Sequence, residues 1–269
     1  MVIKLQKMAQ TDDQNSKTLT KNRVKSVFFA VLSLLVLGSC NSTGTQTADP
    51  SVNVLTEEEI ADGWQLLFNG KDLTGWHSYL RSEPGKAWKV EGGAILLDKN
   101  FITPRKHCGD LTSDGEYENF HLKVEWKLKP CKNSGLFFYV HEDPRYGYPG
   151  TTGPEMQIVD LDCSPDSKIL KSRAGALYSL IPVDVEPVTP GGQWNQYEVI
   201  ANMGHLELFI NGTRVIETQL WTDEWKALIA ASGKSEYSDF GTFKKGHIAF
   251  QGTEPGTRIW FRNIKIKEL

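Results

Sequence analysis

Basic residues are not in excess in this chain. Thirty Lys and Arg stand against 33 Asp and Glu, for a formal charge of −3, and because the two signs are interspersed there is no basic face for nucleic acid. Glycine-rich loops opening a helix are missing, so a nicotinamide cofactor is not expected. No His, Cys or carboxylate cluster has metal-ligand spacing, and the expectation is no cofactor and no metal. Long apolar runs are also missing: the stretch from Val27 to Leu37 is too short to span a bilayer as a permanent helix. There are four cysteines, Cys40, Cys108, Cys131 and Cys163, and their spacing matches no zinc pattern. No second linker divides the chain beyond residue 55, so one large domain is expected.

The N-terminal region reads as targeting rather than structure. Lys21-Asn22-Arg23-Val24-Lys25 is a basic n-region ahead of the apolar segment from Val27 to Leu37, the pattern of a secretory signal. Residues 1 to about 20 are polar, which leaves open a start at Met8 or a long n-region. The signal ends in Leu37-Gly38-Ser39-Cys40, which resembles a bacterial lipobox and implies lipidation of Cys40. Residues 1–40 are thus a lipoprotein signal peptide. Residues 41–54, rich in Ser, Thr, Gly and Gln, are a flexible tether. The domain follows over 55–269. The implied location is the cell envelope, on the outer membrane facing the periplasm, with a lipid anchor as the membrane contact. In that oxidising setting Cys108, Cys131 and Cys163 allow at most one internal disulfide.

The domain reads as strands and turns. Phe120 to Leu128 alternates Leu122, Val124, Trp126 and Leu128 with polar residues, a half-buried strand, and Leu136 to Val140 is apolar throughout and expected to be buried on both faces. Asn211-Gly212 suits a two-residue type I′ turn. Hairpins are expected around Asn69-Gly70-Lys71-Asp72 and around Glu91-Gly92-Gly93. Helical signals are confined to Thr56–Ala61, with Thr56 as N-cap, and to Trp221 to about Ala231. More than ten short strands predict an all-β jelly-roll sandwich of two antiparallel sheets.

The segment Gly153-Pro154-Glu155-Met156-Gln157-Ile158-Val159-Asp160 carries the chemistry. On a strand, Glu155 and Gln157 share one face, and Asp160 joins them only if a residue is bulged out. Such a surface suits a sugar, whose hydroxyls need acceptors and whose cleavage needs acid and base. An ordinary half-exposed strand alternates in the same way.

This segment stands in order with Leu67-Phe68-Asn69-Gly70-Lys71-Asp72-Leu73-Thr74-Gly75-Trp76, Asn133-Ser134-Gly135, Gly175-Ala176-Leu177-Tyr178, Trp194-Asn195, Asn211-Gly212 and Phe261-Arg262-Asn263-Ile264-Lys265-Ile266. Together these motifs, over about residues 62–269, resemble the bacterial 3-keto-disaccharide hydrolase domain family. The resemblance implies a concanavalin-like jelly roll and an enzyme acting on glycosides already oxidised to a ketone at carbon three. That ketone acidifies the hydrogen at carbon two, so a base can remove it, the glycosidic oxygen leaves by elimination, and water adds back. A separate sugar dehydrogenase, which would make the ketone, is the implied pathway partner. Glu155, Gln157 and Asp160 also fall at the spacing of the catalytic strand of laminarinase-type glycosidases. A conventional glucan hydrolase and a non-catalytic carbohydrate-binding module therefore stand as alternatives.

Glu155 is the leading catalytic candidate, with Glu125, Asp160 and His141 as further acid or base candidates. Gln157, an amide, binds or orients only. Arg145, Tyr146 and Tyr148, on the loop ahead of Glu155, are candidates to polarise a ketone or stack on a sugar ring. Tyr178 and Trp194 are further stacking candidates. Trp194, at a strand start, also suits the core, and Arg262 and Asn263 suit a closing strand.

Overall fold

Alternating apolar residues place most of this chain in antiparallel strands. The computed structural model describes residues 51–99, 109–252 and 256–269. The signal segment, Cys40, residues 41–50 of the tether and Cys108 lie outside the described residues. In chain order the strands are β1 (Gln65–Leu66), β2 (Trp76–Ser78), β3 (Trp88–Glu91), β4 (Ala94–Asp98), β5 (Leu111–Tyr117), β6 (Phe120–Leu128), β7 (Asn133–Val140), β8 (Glu155–Val159), β9 (Trp194–Asn202), β10 (His205–Ile210), β11 (Thr213–Gln219), β12 (Gly246–Phe250) and β13 (Arg258–Glu268). They form an eight-stranded sheet in the order β11-β10-β9-β6-β13-β4-β3, with β1 also on β13, and a five-stranded sheet in the order β2-β5-β12-β7-β8. The result is a jelly-roll sandwich.

The core lies between the sheets. Strand β6 buries every second residue, sending Leu122, Val124 and Trp126 toward Leu136, Phe138, Met156 and Ile158 of the smaller sheet. Phe250 of β12 stacks on Phe261 of β13 with centroids 3.9 Å apart, joining the layers. Each such aliphatic or Phe side chain contributes roughly 1.5–3 kcal/mol by leaving water.

Local signals mostly set local structure. Thr56 caps α1 (Glu57–Ala61) through a full capping box with Glu59. Thr222 caps α2 (Asp223–Ala230). Asn211 and Gly212 take the positive φ angles that a type I′ turn needs, 48° and 80°. Gly92 and Gly93 do likewise between the paired β3 and β4.

The hairpin expected at Asn69–Asp72 does not form. Leu66 pairs with Lys265 in the larger sheet and Trp76 with Ser113 in the smaller, so this turn crosses between layers. The Asn69 side chain holds it by accepting from the backbone N–H groups of Lys71 and Asp72. Packing reaches back to Asn53, which exchanges hydrogen bonds with Asn263 on β13: each backbone N–H donates to the other's side-chain oxygen.

Candidate active site

Strand β8 pairs with β7 in unbroken register from Asn133 opposite Val159 to Phe137 opposite Glu155. Met156 and Ile158 therefore face the core, and Glu155 and Gln157 project from the outer face of the smaller sheet. Both are only 4% exposed. Two features make room for them. Gly135, across the ladder, has no side chain where one would strike the Glu155 carboxylate. On the free side of β8, Gly175 to Tyr178 runs as a short partner: Gly175 N–H donates to Gln157 O, Gln157 N–H to Ala176 O, and Tyr178 N–H to Glu155 O. This places Tyr178 beside Glu155.

The hollow has a volume of about 350 Å³, and Asn133, Gln157, Tyr178 and Gln251 line it with Glu155. A residue distant in sequence completes it. Lys234, 6% exposed, enters from the segment after α2. Its ammonium donates to Gly150 O at 3.0 Å and lies 5.2–5.9 Å from the ring centres of Tyr148, Tyr178, Tyr237 and Phe240. Such a cage holds a cation by the negative faces of the rings while keeping water away. The segment is anchored by buried Trp225, whose indole N–H donates to Gly241 O, and by Gly241 N–H donating to Thr152 O.

Burial pushes the Glu155 carboxyl up to about 8, against the opposing pull of the Lys234 charge and with a further upward push from Asp110. Burial pushes Lys234 down, and the Glu155 carboxylate holds it partly up. Gln251 donates to Glu155 Oε1 at 3.0 Å. One acid and one ammonium, each brought toward neutral pH by loss of solvent, thus share a small polar space. That suits proton transfer and stabilisation of developing negative charge.

The sequence candidates separate clearly. The structure brings together Glu155, Gln157, Tyr148 and Tyr178. Asp160 follows β8 on the opposite parity from Glu155, because no residue is bulged out. Its carboxylate accepts from the backbone N–H groups of Cys131 and Gly191 beside the Cys131–Cys163 disulfide, so it holds loops together. Glu125 lies on the other sheet, where Arg262 Nε donates to it at 2.7 Å and Asn263 Nδ2 at 2.8 Å. Trp194 is its neighbour there, with the Arg262 guanidinium 4.0 Å from its ring centre. His141 stacks on Phe243 at 4.3 Å and does not line the hollow. Arg145 and Tyr146 line an adjoining cleft instead.

Sequence reasoning did not single out Lys234, Gln251, Tyr237 or Asp166. Asp166 lines the hollow and accepts from Asn133 Nδ2 at 2.5 Å. The one available signal was a lysine within a Gly-Ser turn ahead of Tyr237 and Phe240.

A jelly-roll sandwich with a polar, tyrosine-walled hollow on its smaller sheet is the class of protein that fold and site define. Residues 63–267 match the 3-keto-alpha-glucoside-1,2-lyase-like domain, and the chain belongs to that family. It is 30% identical over 230 residues to a Bacteroides thetaiotaomicron (strain VPI-5482) protein named 3-keto-disaccharide hydrolase, covering 78% of this chain and 79% of that one. A crystal structure from Parabacteroides distasonis, of a protein provisionally assigned as a glycosyl hydrolase, superposes with a TM-score of 0.72 at 33% identity, over 81% of this chain and 99% of the other. A second structure from the same organism, with the same provisional assignment, gives 0.58 at 25% identity, over 77% and 99%. Family and relatives together support a glycoside hydrolase.

Proposed function

We propose that this protein cleaves glycosides whose sugar carries a ketone at carbon three, by elimination followed by hydration. Glu155 as carboxylate takes the proton from carbon two. The electron pair moves into an enediolate whose oxygen is stabilised by the Lys234 ammonium, then expels the glycosidic oxygen from carbon one, which leaves with the proton that Glu155 took and so restores the carboxylate. Water adds to the resulting double bond, its hydroxyl to carbon one and a proton to carbon two, so the net change is hydrolysis. The observation that carries this reading is the buried pairing of Glu155 with Lys234 in one hollow.

A double displacement is less well served. It needs two carboxylates about 5–5.5 Å apart, and Gln157 stands where the next acid on β8 would be. Asp166 is held at Asn133, four residues along β7 from the position opposite Glu155, roughly 13 Å of strand.

Two measurements test the proposal. Full-length protein given a 3-keto-disaccharide in D₂O is expected to release a 3-keto sugar with deuterium at carbon two, and to leave the unoxidised disaccharide intact. Product without that label, or cleavage of the unoxidised sugar alone, rejects elimination. Sugar binding without turnover that survives Glu155→Gln would make this a carbohydrate-binding module instead.

The proposal extends to the cell. Cys40 carries a lipid that holds the protein in the envelope, on the outer membrane facing the periplasm, and a separate sugar dehydrogenase supplies the ketone. Loss of membrane fractionation in Cys40→Ala tests the anchor.

A further inference from the structure

A second cleft of about 540 Å³ adjoins the hollow. Tyr148 and Tyr237 line both spaces, their hydroxyls 3.4 Å apart and their rings at 85°. The pair is therefore the partition between the two. Beyond it, Arg145 and Tyr146 come from the β7–β8 loop, and Glu236 and Asp239 from the segment after α2. These two stretches are far apart in sequence, and the Tyr146 hydroxyl joins them by donating to Asp239 Oδ2 at 2.5 Å. The Arg145 guanidinium lies 5.2 Å from the Tyr146 ring centre and donates to Asp143.

This geometry points to a leaving-group site, and we infer that the outer cleft binds the departing half of the substrate as a second sugar ring, with Asp239 as its specificity-determining residue. The inference rests on the proposed keto-glycoside cleavage, because it assigns the hollow to the keto sugar. A bond cleaved beside Glu155 leaves one ring in the hollow and sends the other past the Tyr148–Tyr237 partition. The chemistry of the outer space favours a polyol over an aromatic aglycone. Glu236 and Asp239 offer carboxylate acceptors to sugar hydroxyls, Arg145 offers donors to ring and hydroxyl oxygens, and the tyrosines present ring surface to the C–H face of a sugar. An aryl group with no hydroxyls would donate to neither Glu236 nor the acceptor capacity that Asp239 keeps beyond its bond from Tyr146. Tyr146 acts through Asp239 and is a positioning residue.

The test compares two substrates with the same keto sugar, a 3-keto-disaccharide and its methyl 3-keto-glycoside, in full-length wild type, Asp239→Asn and Tyr146→Phe. Both variants are expected to lower kcat/KM on the disaccharide about tenfold to a hundredfold, as loss of a hydrogen bond to a charged group implies, with the methyl glycoside within about twofold of wild type. An equal fall on both substrates, or a fall on neither, overturns the inference. If wild type cleaves neither substrate, the proposed reaction fails and the cleft is read separately. Titration with D-glucose is then expected to shift the Tyr146 ring resonances in wild type and not in Asp239→Asn. Absence of a wild-type shift, or its persistence in the variant, overturns the assignment.

Discussion

A side chain at position 135 cannot coexist with Glu155 as it stands: a Cβ built on Gly135 would lie 1.9 Å from Glu155 Oε1 and 2.8 Å from its carboxyl carbon. The glycine of the Asn133-Ser134-Gly135 motif is thus a vacancy cut for the acid on the neighbouring strand. Gly135→Ala is expected to push the carboxylate off Gln251, to abolish measurable cleavage of a 3-keto-disaccharide and to cost about 1–3 kcal/mol of stability, the usual range for overpacking. Turnover at the wild-type rate with a folded spectrum would show that Glu155 does not need this position.

The pH profile follows from the same carboxyl. In the proposed role of base Glu155 must be ionised, so kcat/KM is expected to rise with pH through an apparent value of about 8. Lys234→Met removes a charge that holds this value down, so the inflection moves to higher pH and activity at neutral pH drops. Stability runs the other way. The fold raises this pKa above 4.5, so its stabilising contribution is full below about that pH and is lost as pH rises through about 8. Melting curves of Glu155→Gln are expected to lack that loss.

His77 forms a second titratable contact. Its two ring nitrogens meet Asp114 Oδ1 at 2.6 Å and Glu142 Oε2 at 2.9 Å, an arrangement in which both nitrogens donate only as the imidazolium. Burial opposes the charge, and the hydrogen bonds to Asp114 and Glu142 outweigh it, raising the pKa above 6.5. The clasp ties β2 and β5 to the start of the loop bearing Tyr146 and Tyr148. Its stabilisation is present below the unfolded value and lost as pH rises through the folded one. The difference in melting temperature between wild type and His77→Gln is therefore expected to be largest below about pH 6.5 and to shrink above it.

Glu125 gives a contrasting expectation. Its carboxylate is engaged by Arg262 and Asn263 on the larger sheet, so Glu125→Gln should leave kcat/KM on a 3-keto-disaccharide within about twofold of wild type. A loss comparable to that of Glu155→Gln would place the chemistry on the wrong sheet here.

The Cys131–Cys163 bridge closes a 32-residue separation that contains β7 and β8. Cys163→Ser is expected to destabilise the domain by about 3–4 kcal/mol on the chain-entropy view, measured by denaturant unfolding with and without reductant.

Alternation on β6 and the Asn211-Gly212 turn were legible in the sequence because each depends on neighbours within a few residues. So was the shared face of Glu155 and Gln157, since strand parity is local. Parity also governs Asp160, where the expectation needed a bulge that the unbroken β7–β8 ladder does not supply. Glu125 and Trp194 could not be placed from sequence, because which sheet a strand joins is a long-range choice. The same holds for the turn at Asn69–Asp72, whose flanking strands go to different layers. Lys234 was invisible for a further reason: a lone lysine in a polar turn has no periodicity, and only docking of the segment after α2 surrounds it with rings.

That docking makes the acidity of Glu155 a property of the finished domain rather than of its own strand. In a chain released before residue 234 is made, the same carboxyl would have neither the ammonium nor the rings of Tyr237 and Phe240 beside it. On the proposed mechanism the reactive pair is therefore assembled only after the segment following α2 has been made, and shorter chains lack it.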